Sequence, residues 1–143
     1  MKPADVRFYV DADILGLGKL LGSLRPDVTY PGDRGATIRK RDRPPCVIEK
    51  ANTPDPVWIP TVSSQGWLII TRDSNIWQHR AGLTAIRDND ARMVALSGRE
   101  ARTTWDQLEV VMNQWRAIER LLDIPGPFIY TATRTALRAV DLT

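Results

Sequence analysis

The chain has 143 residues, 43% of them hydrophobic and 26% charged, with a formal net charge of +3 and a pI of about 9.3. That length suits one domain, residues 1–143, with a respectable core, and the composition is ordinary for a soluble globular protein. The single cysteine, Cys46, excludes an intrachain disulfide and a cysteine zinc site, and the single histidine, His79, excludes a multi-histidine metal centre.

The opening Met1-Lys2-Pro3-Ala4-Asp5 is polar and short, so no secretory leader is expected. No apolar run approaches the roughly eighteen residues of a membrane span, and a cytoplasmic location is the default expectation. Val6 to Val10 reads as the first strand. Leu17, Leu20, Leu21 and Leu24 then recur at one face of a helix, with Gly16, Gly18 and Gly22 as marks of close helix-on-sheet packing. The glycines do not make a dinucleotide fingerprint, because Leu21 stands where the third should be. Asp27-Val28-Thr29-Tyr30 is a short strand stopped by Pro31-Gly32, and strand, helix, strand in that order predicts a parallel βαβ unit.

Residues 31–54 show little periodicity and carry Arg34, Arg39, Lys40, Arg41, Arg43 and Lys50. A basic loop of this length is either a solvated insertion or a phosphate-contacting arm. It has no interleaved aromatic, so a base-stacking platform is not expected there. Asp55-Pro56 reads as a helix start, Asp55 at the N-cap and Pro56 at the first helical position, with Val57, Trp58 and Val62 facing the core. Trp67 to Ile70 is the second strong strand.

Asn75 to Asp88 predicts short helical turns broken near Gly82, with Leu83 and Ile86 as core candidates, and Arg92-Met93-Val94-Ala95-Leu96 a further strand. Thr104 and Gln107 have the capping-box form, opening a helix over about 104–122 whose apolar face holds Trp105, Leu108, Met112, Trp115 and Leu122, with Val111, Ile118 and Leu121 widening it. The tail, 126–143, adds a strand or a docked segment with no fixed place.

Two apolar strands therefore end in acid: Val10 runs into Asp11-Ala12-Asp13, and Ile70 into Thr71-Arg72-Asp73. If these strands are neighbours, Asp11 and Asp73 meet at the carboxyl edge of the sheet, where open α/β folds build their sites. Gathered carboxylates repel each other unless a cation neutralises them, and an all-oxygen ligand set suits Mg²⁺ or Mn²⁺. Each acid has a plainer reading. Asp13, Asp55 and Asp73 can each cap a helix, whereas Asp11 follows a buried strand with nothing local to cap.

At these residues the chain resembles the PIN domain family and its PIN-like branch, which includes VapC-type toxins. The match lies in Phe8-Tyr9-Val10-Asp11 with Asp13 behind it, in Asp55 followed by Pro56 and Trp58, and in Leu68-Ile69-Ile70-Thr71-Arg72-Asp73. The resemblance implies a three-layer α/β/α fold around a central, mainly parallel sheet of four or five strands. It implies a divalent-metal-dependent ribonuclease with Asp11, Asp13, Asp55 and Asp73 as metal ligands and Thr71 steadying them. Arg72 and Lys50, with Arg39, Lys40 and Arg41 of the basic loop, are candidates for contact with RNA phosphates. For toxin members it also implies a cognate antitoxin and homodimerisation. Asn75, where many relatives carry another acid, departs from the pattern. Two alternatives stay open: a PIN-fold module that holds RNA or protein without cutting, and a haloacid-dehalogenase-like phosphatase using Asp11-x-Asp13, although Ile14-Leu15 do not fit its motif.

Overall fold

A computed structural model describes residues 2–72, 76 and 78–142. Its strands and helices, in chain order, are β1 (Lys2–Pro3), β2 (Phe8–Val10), α1 (Leu15–Leu24), β3 (Val28–Thr29), β4 (Ala36–Ile38), β5 (Arg41–Arg43), α2 (Asp55–Ser64) and β6 (Leu68–Thr71). After these come α3 (Arg80–Asp88), β7 (Arg92–Leu96), α4 (Thr104–Arg120), β8 (Phe128–Ala132) and β9 (Leu137–Ala139). The main sheet has the order β3-β2-β6-β7-β8-β9, parallel throughout except for the antiparallel β8–β9 edge. Among the described residues it has six strands where four or five are expected, because the tail contributes both β8 and β9.

Strand alternation builds two cores. Phe8, Val10, Leu68, Ile70, Val94 and Leu96 face one side of the sheet, where α1 and α4 cover them with Leu17, Leu21, Val110, Val111 and Ile118. Tyr9, Ile69, Met93 and Ile129 face the other, against Trp58, Ile59, Val62 and Ile86 of α2 and α3. Side chains two apart share a face, so each buried run serves both layers and the architecture is α/β/α. No helix among the described residues is long and apolar enough to cross a membrane.

Several local expectations change. The helix α1 packs as closely as its glycines suggest: a Cβ on Gly18 would lie 3.2 Å from the Val10 Cβ, and one on Gly22 would lie 2.8 Å from the Tyr30 ring. Asp55 is the first residue of α2 rather than its cap, which is Pro54, and the helix runs on through Pro60. Ile59, not the exposed Val57, joins Trp58 and Val62 in the core. Gly82 lies inside α3 and does not break it, and a Cβ there would meet the Ile76 carbonyl. The expected turns at Asn75 and Trp77 lie outside the described residues. In α4 the cap is Thr103, whose hydroxyl accepts from Asp106 N at 3.1 Å. The buried face holds Gln107, Val110, Val111, Gln114 and Ile118, leaving Trp105 75% exposed.

The basic stretch 31–54 is folded rather than a solvated loop. β4 and β5 form a hairpin, Ile38 opposite Arg41, and β1 adds in parallel beside β5. Cys46 and Ile48 enter the second core, where burial pushes the Cys46 thiol above its ordinary pKa and leaves it unreactive. Arg43, grouped by sequence with the phosphate-contact candidates, is instead buried against Asp33, their side chains 2% and 1% exposed and 2.7 Å apart. Its Nη1 donates to the Gly22 and Arg25 carbonyls at 2.9 Å each, closing the C-terminus of α1, and Thr29 Oγ1 donates to Asp33 at 2.9 Å.

Removing one partner of such a pair strands the other charge in a dry site, at a cost of about 3–5 kcal/mol. We expect Arg43→Ala to lower stability by that order in urea unfolding, and Arg43→Met with Asp33→Leu to recover much of it. A single-variant loss under about 1 kcal/mol would show that the pair is dispensable.

Candidate active site at the carboxyl edge

The strand order reverses between β2 and β6: the chain goes outward from β2 to β3, then returns to lay β6 on the other flank of β2. Such a switch point leaves a crevice at the carboxyl ends of the two strands. Register fixes what lies there. Val10 pairs with Ile70, and Asp11 N donates to the Ile70 carbonyl at 2.9 Å, bringing Asp11 beside Thr71.

Asp11 is 7% exposed. Its Oδ1 accepts from Ala12 N at 2.6 Å and its Oδ2 from Thr71 Oγ1 at 2.9 Å. Asp11 thus has a local role after all, as the cap of the short 3-10 turn Ala12–Ile14. Asp13, in that turn, is exposed; its two oxygens stand 3.4 Å from Thr71 Oγ1, and Oδ2 accepts from Arg72 N at 3.2 Å. Thr71 has one proton to donate, and the shorter distance directs it to Asp11.

Burial is the main force on Asp11, with Asp13 next and Asp55 a smaller push; together they outweigh the hydrogen bonds from Thr71 and Ala12 and raise its carboxyl from 3.8 to about 7. Asp55 is thus close enough to act on Asp11, although its Oδ1 accepts from Trp58 Nε1 at 2.8 Å. Tyr9 was not among the expected site residues. It lies two residues before Asp11 on the same strand face, and burial, with the charges of Asp11 and Asp55 adding to it, keeps its phenol protonated. The strand period alone could have singled it out.

Asp11, Asp13, Thr71 and Arg72 therefore come together, with Asp55 near them, while Asp73 lies outside the described residues. The Arg72 side chain turns to the loop after β7, its Nη2 donating to the Gly98 carbonyl at 3.1 Å. Lys50 is exposed on a turn closed by its own carbonyl, which accepts from Thr53. Arg39, Lys40 and Arg41 belong to the β4–β5 hairpin, away from this edge. His79 is exposed at the start of α3.

Among the described residues no group of three or more acidic, histidine or cysteine side chains is gathered as a metal cluster. The donors present nevertheless fit a hard divalent cation. Two neighbouring carboxylates offer oxygen only, and Asp11 carries a repulsion that a cation would relieve.

The raised pKa has a consequence for stability. Between roughly 4 and 7 the folded protein holds a proton on Asp11 that the unfolded chain releases, so the metal-free fold loses stability as pH rises through that range. Asp11→Asn removes the titration. In EDTA we expect the variant to exceed the parent by about 4 kcal/mol at pH 8 and to match it near pH 4, read from urea midpoints. Equal differences at both pH values would count against a strained carboxylate.

A family model described as a PIN-like domain matches residues 7–98, which hold β2, β6 and the whole carboxylate edge. No curated protein and no solved structure matches the chain. The matched span is more than half of the sequence, and the chain belongs to the PIN-like domain family, whose fold is of a nuclease type.

Proposed function

We propose that the protein is a divalent-metal-dependent ribonuclease that hydrolyses RNA phosphodiester bonds. The observation that carries this reading is the buried Asp11 carboxylate at the β2–β6 switch point, pressed by Asp13 and Asp55 and held by Thr71. Asp11 and Asp13 would hold Mg²⁺ or Mn²⁺, with Asp55 and Asp73 completing the ligand set. When bound, such an ion polarises phosphoryl oxygens, lowers the pKa of an attacking water and stabilises the leaving oxygen.

The chain's own groups prepare that chemistry. The Ala12 N–H fixes one oxygen of Asp11 and Thr71 fixes the other, so the carboxylate is oriented before anything binds. The Tyr9 phenol stays neutral near it. Arg72 and Lys50 are candidates to meet the substrate phosphate. The resemblance to VapC-type toxins extends the reading to a toxin neutralised by a cognate antitoxin, acting in the cytoplasm as a homodimer, with residues 1–143 one functional domain.

A second reading, RNA binding without cleavage, draws support from Asp55, one of whose oxygens is engaged by Trp58. One experiment separates the two. Purified protein incubated with structured RNA and Mn²⁺ should release discrete fragments with 5′-phosphate ends. EDTA should abolish them, Asp11→Asn should slow them at least ~100-fold, and Thr71→Val about 10-fold or more, as expected for a group that orients a ligand. RNA held but not cut in Mn²⁺ would favour the binding module. An acid-labile phosphate adduct at Asp11 would instead mark the phosphatase alternative.

A further inference from the structure

The basic hairpin sits at the opposite edge of the sheet from the carboxylates. Arg7 precedes β2, and Arg25 follows α1 just ahead of β3, so both mark the amino ends of these strands. They line a cavity of about 520 Å³ together with Arg39 and Arg41 of the β4–β5 hairpin. Arg7 and Arg25 both donate to Asp27, which fixes their guanidinium groups at the cavity wall. Asp5 also lines the cavity. Arg39 and Arg41 are exposed and make no ion pair among the described residues.

The hairpin tip is built against backbone preference. Arg39 and Lys40 are its two turn residues, and both have positive φ, 51° and 63°, where Asn-Gly is the favoured pair. Two long cations thus occupy positions that short residues fill more readily. Arg39 and Arg25 also border a second cavity of about 520 Å³, whose floor holds Trp115, Met112 and Leu24. Arg25 stands 4.7 Å over the Trp115 ring, while Met112 is 67% and Leu24 54% exposed. Arginines flanking an exposed apolar and aromatic floor match the alternation of phosphate and base in a single strand. A purely anionic ligand would have no use for that floor.

We propose that this amino edge is an exosite for single-stranded RNA, with phosphates at Arg39, Lys40 and Arg41 and a base against Met112 and Leu24. Extending the ribonuclease reading, α1 spans the two edges, and its ten residues measure about 15 Å. At about 3.4 Å per stacked nucleotide, a strand joining the exosite to the carboxylates needs at least roughly four nucleotides.

The test is fluorescence anisotropy of fluorescein-labelled U12 in EDTA over a series of salt concentrations, so that no cleavage is needed. Arg39→Asn with Lys40→Gly restores the favoured turn, and its melting temperature should equal or exceed the parent's. Its affinity should fall at least ~5-fold, and its log–log salt slope should become shallower by about 1.4, as two lost phosphate contacts on a single strand require. Met112→Ala should weaken binding about threefold with the slope unchanged. An unchanged affinity and slope in the turn variant overturns the exosite. So does a parent that ignores U12, or one that binds polyglutamate in its place. Binding that behaves as expected in a protein that never cuts RNA would sink the ribonuclease reading and leave the exosite standing.

Discussion

The register of β2 against β6 is the constraint on which the carboxylate edge depends. Asp11 and Thr71 are 60 positions apart, and only the pairing of Val10 with Ile70 brings the hydroxyl to the carboxylate. A slip of one residue would turn Phe8 and Val10 toward the α2–α3 core and Tyr9 toward α1, reversing every buried contact. Packing on both faces therefore fixes the register, and the register fixes the site. The cost falls on Asp11, which is buried beside two like charges. A fold that keeps a carboxyl so far above its ordinary pKa is stabilised elsewhere, here by the two cores.

Much of this was legible in the sequence because apolar runs bounded by acids leave few alternatives. Arg92–Leu96 is a strand with the expected bounds, β2 ends just before Asp11, and β6 ends on Thr71, one residue past the expected Ile70. Periodicity was less reliable for α4. Trp105 and Met112 are large and apolar yet face outward, while Gln107 and Gln114 are buried. Their amides donate to the Ala101 and Thr133 carbonyls, which lets polar side chains occupy the inner face. Hydrophobicity alone cannot anticipate such partners. The strands of the tail were equally obscure, since β8 is ordered by β7 beside it more than by its own pattern.

The basic stretch shows the same limit at the level of single residues. Arg39, Lys40, Arg41 and Arg43 look alike in sequence, but only Arg43 finds a buried carboxylate and two helix-end carbonyls. It becomes the bolt that holds the hairpin to α1, and Asp33, which sequence reading passed over, is the other half of it. With that bolt in place the remaining cations are displayed on a rigid support. For Asp11 the missed feature was local: the carboxylate caps its own turn, and that bond helps aim it.

The chain thus sets its exposed hairpin cations at the amino ends of the strands, apart from Asp11 and Asp13 at the carboxyl ends, where the Arg72 side chain turns to the Gly98 carbonyl. Electrostatics gives a reason. An arginine within a few ångströms of Asp11 would form an ion pair, lower its pKa and compete with any cation for its oxygens. At the far edge, separated by roughly the length of α1 and screened over about 8–10 Å at physiological salt, the same arginines leave the carboxylates unneutralised. They remain available to attract a polyanion as it approaches. The hairpin is what makes the separation structural: β1 and β5 pair beyond the amino end of β2, so the inserted cations are carried away from the site rather than over it.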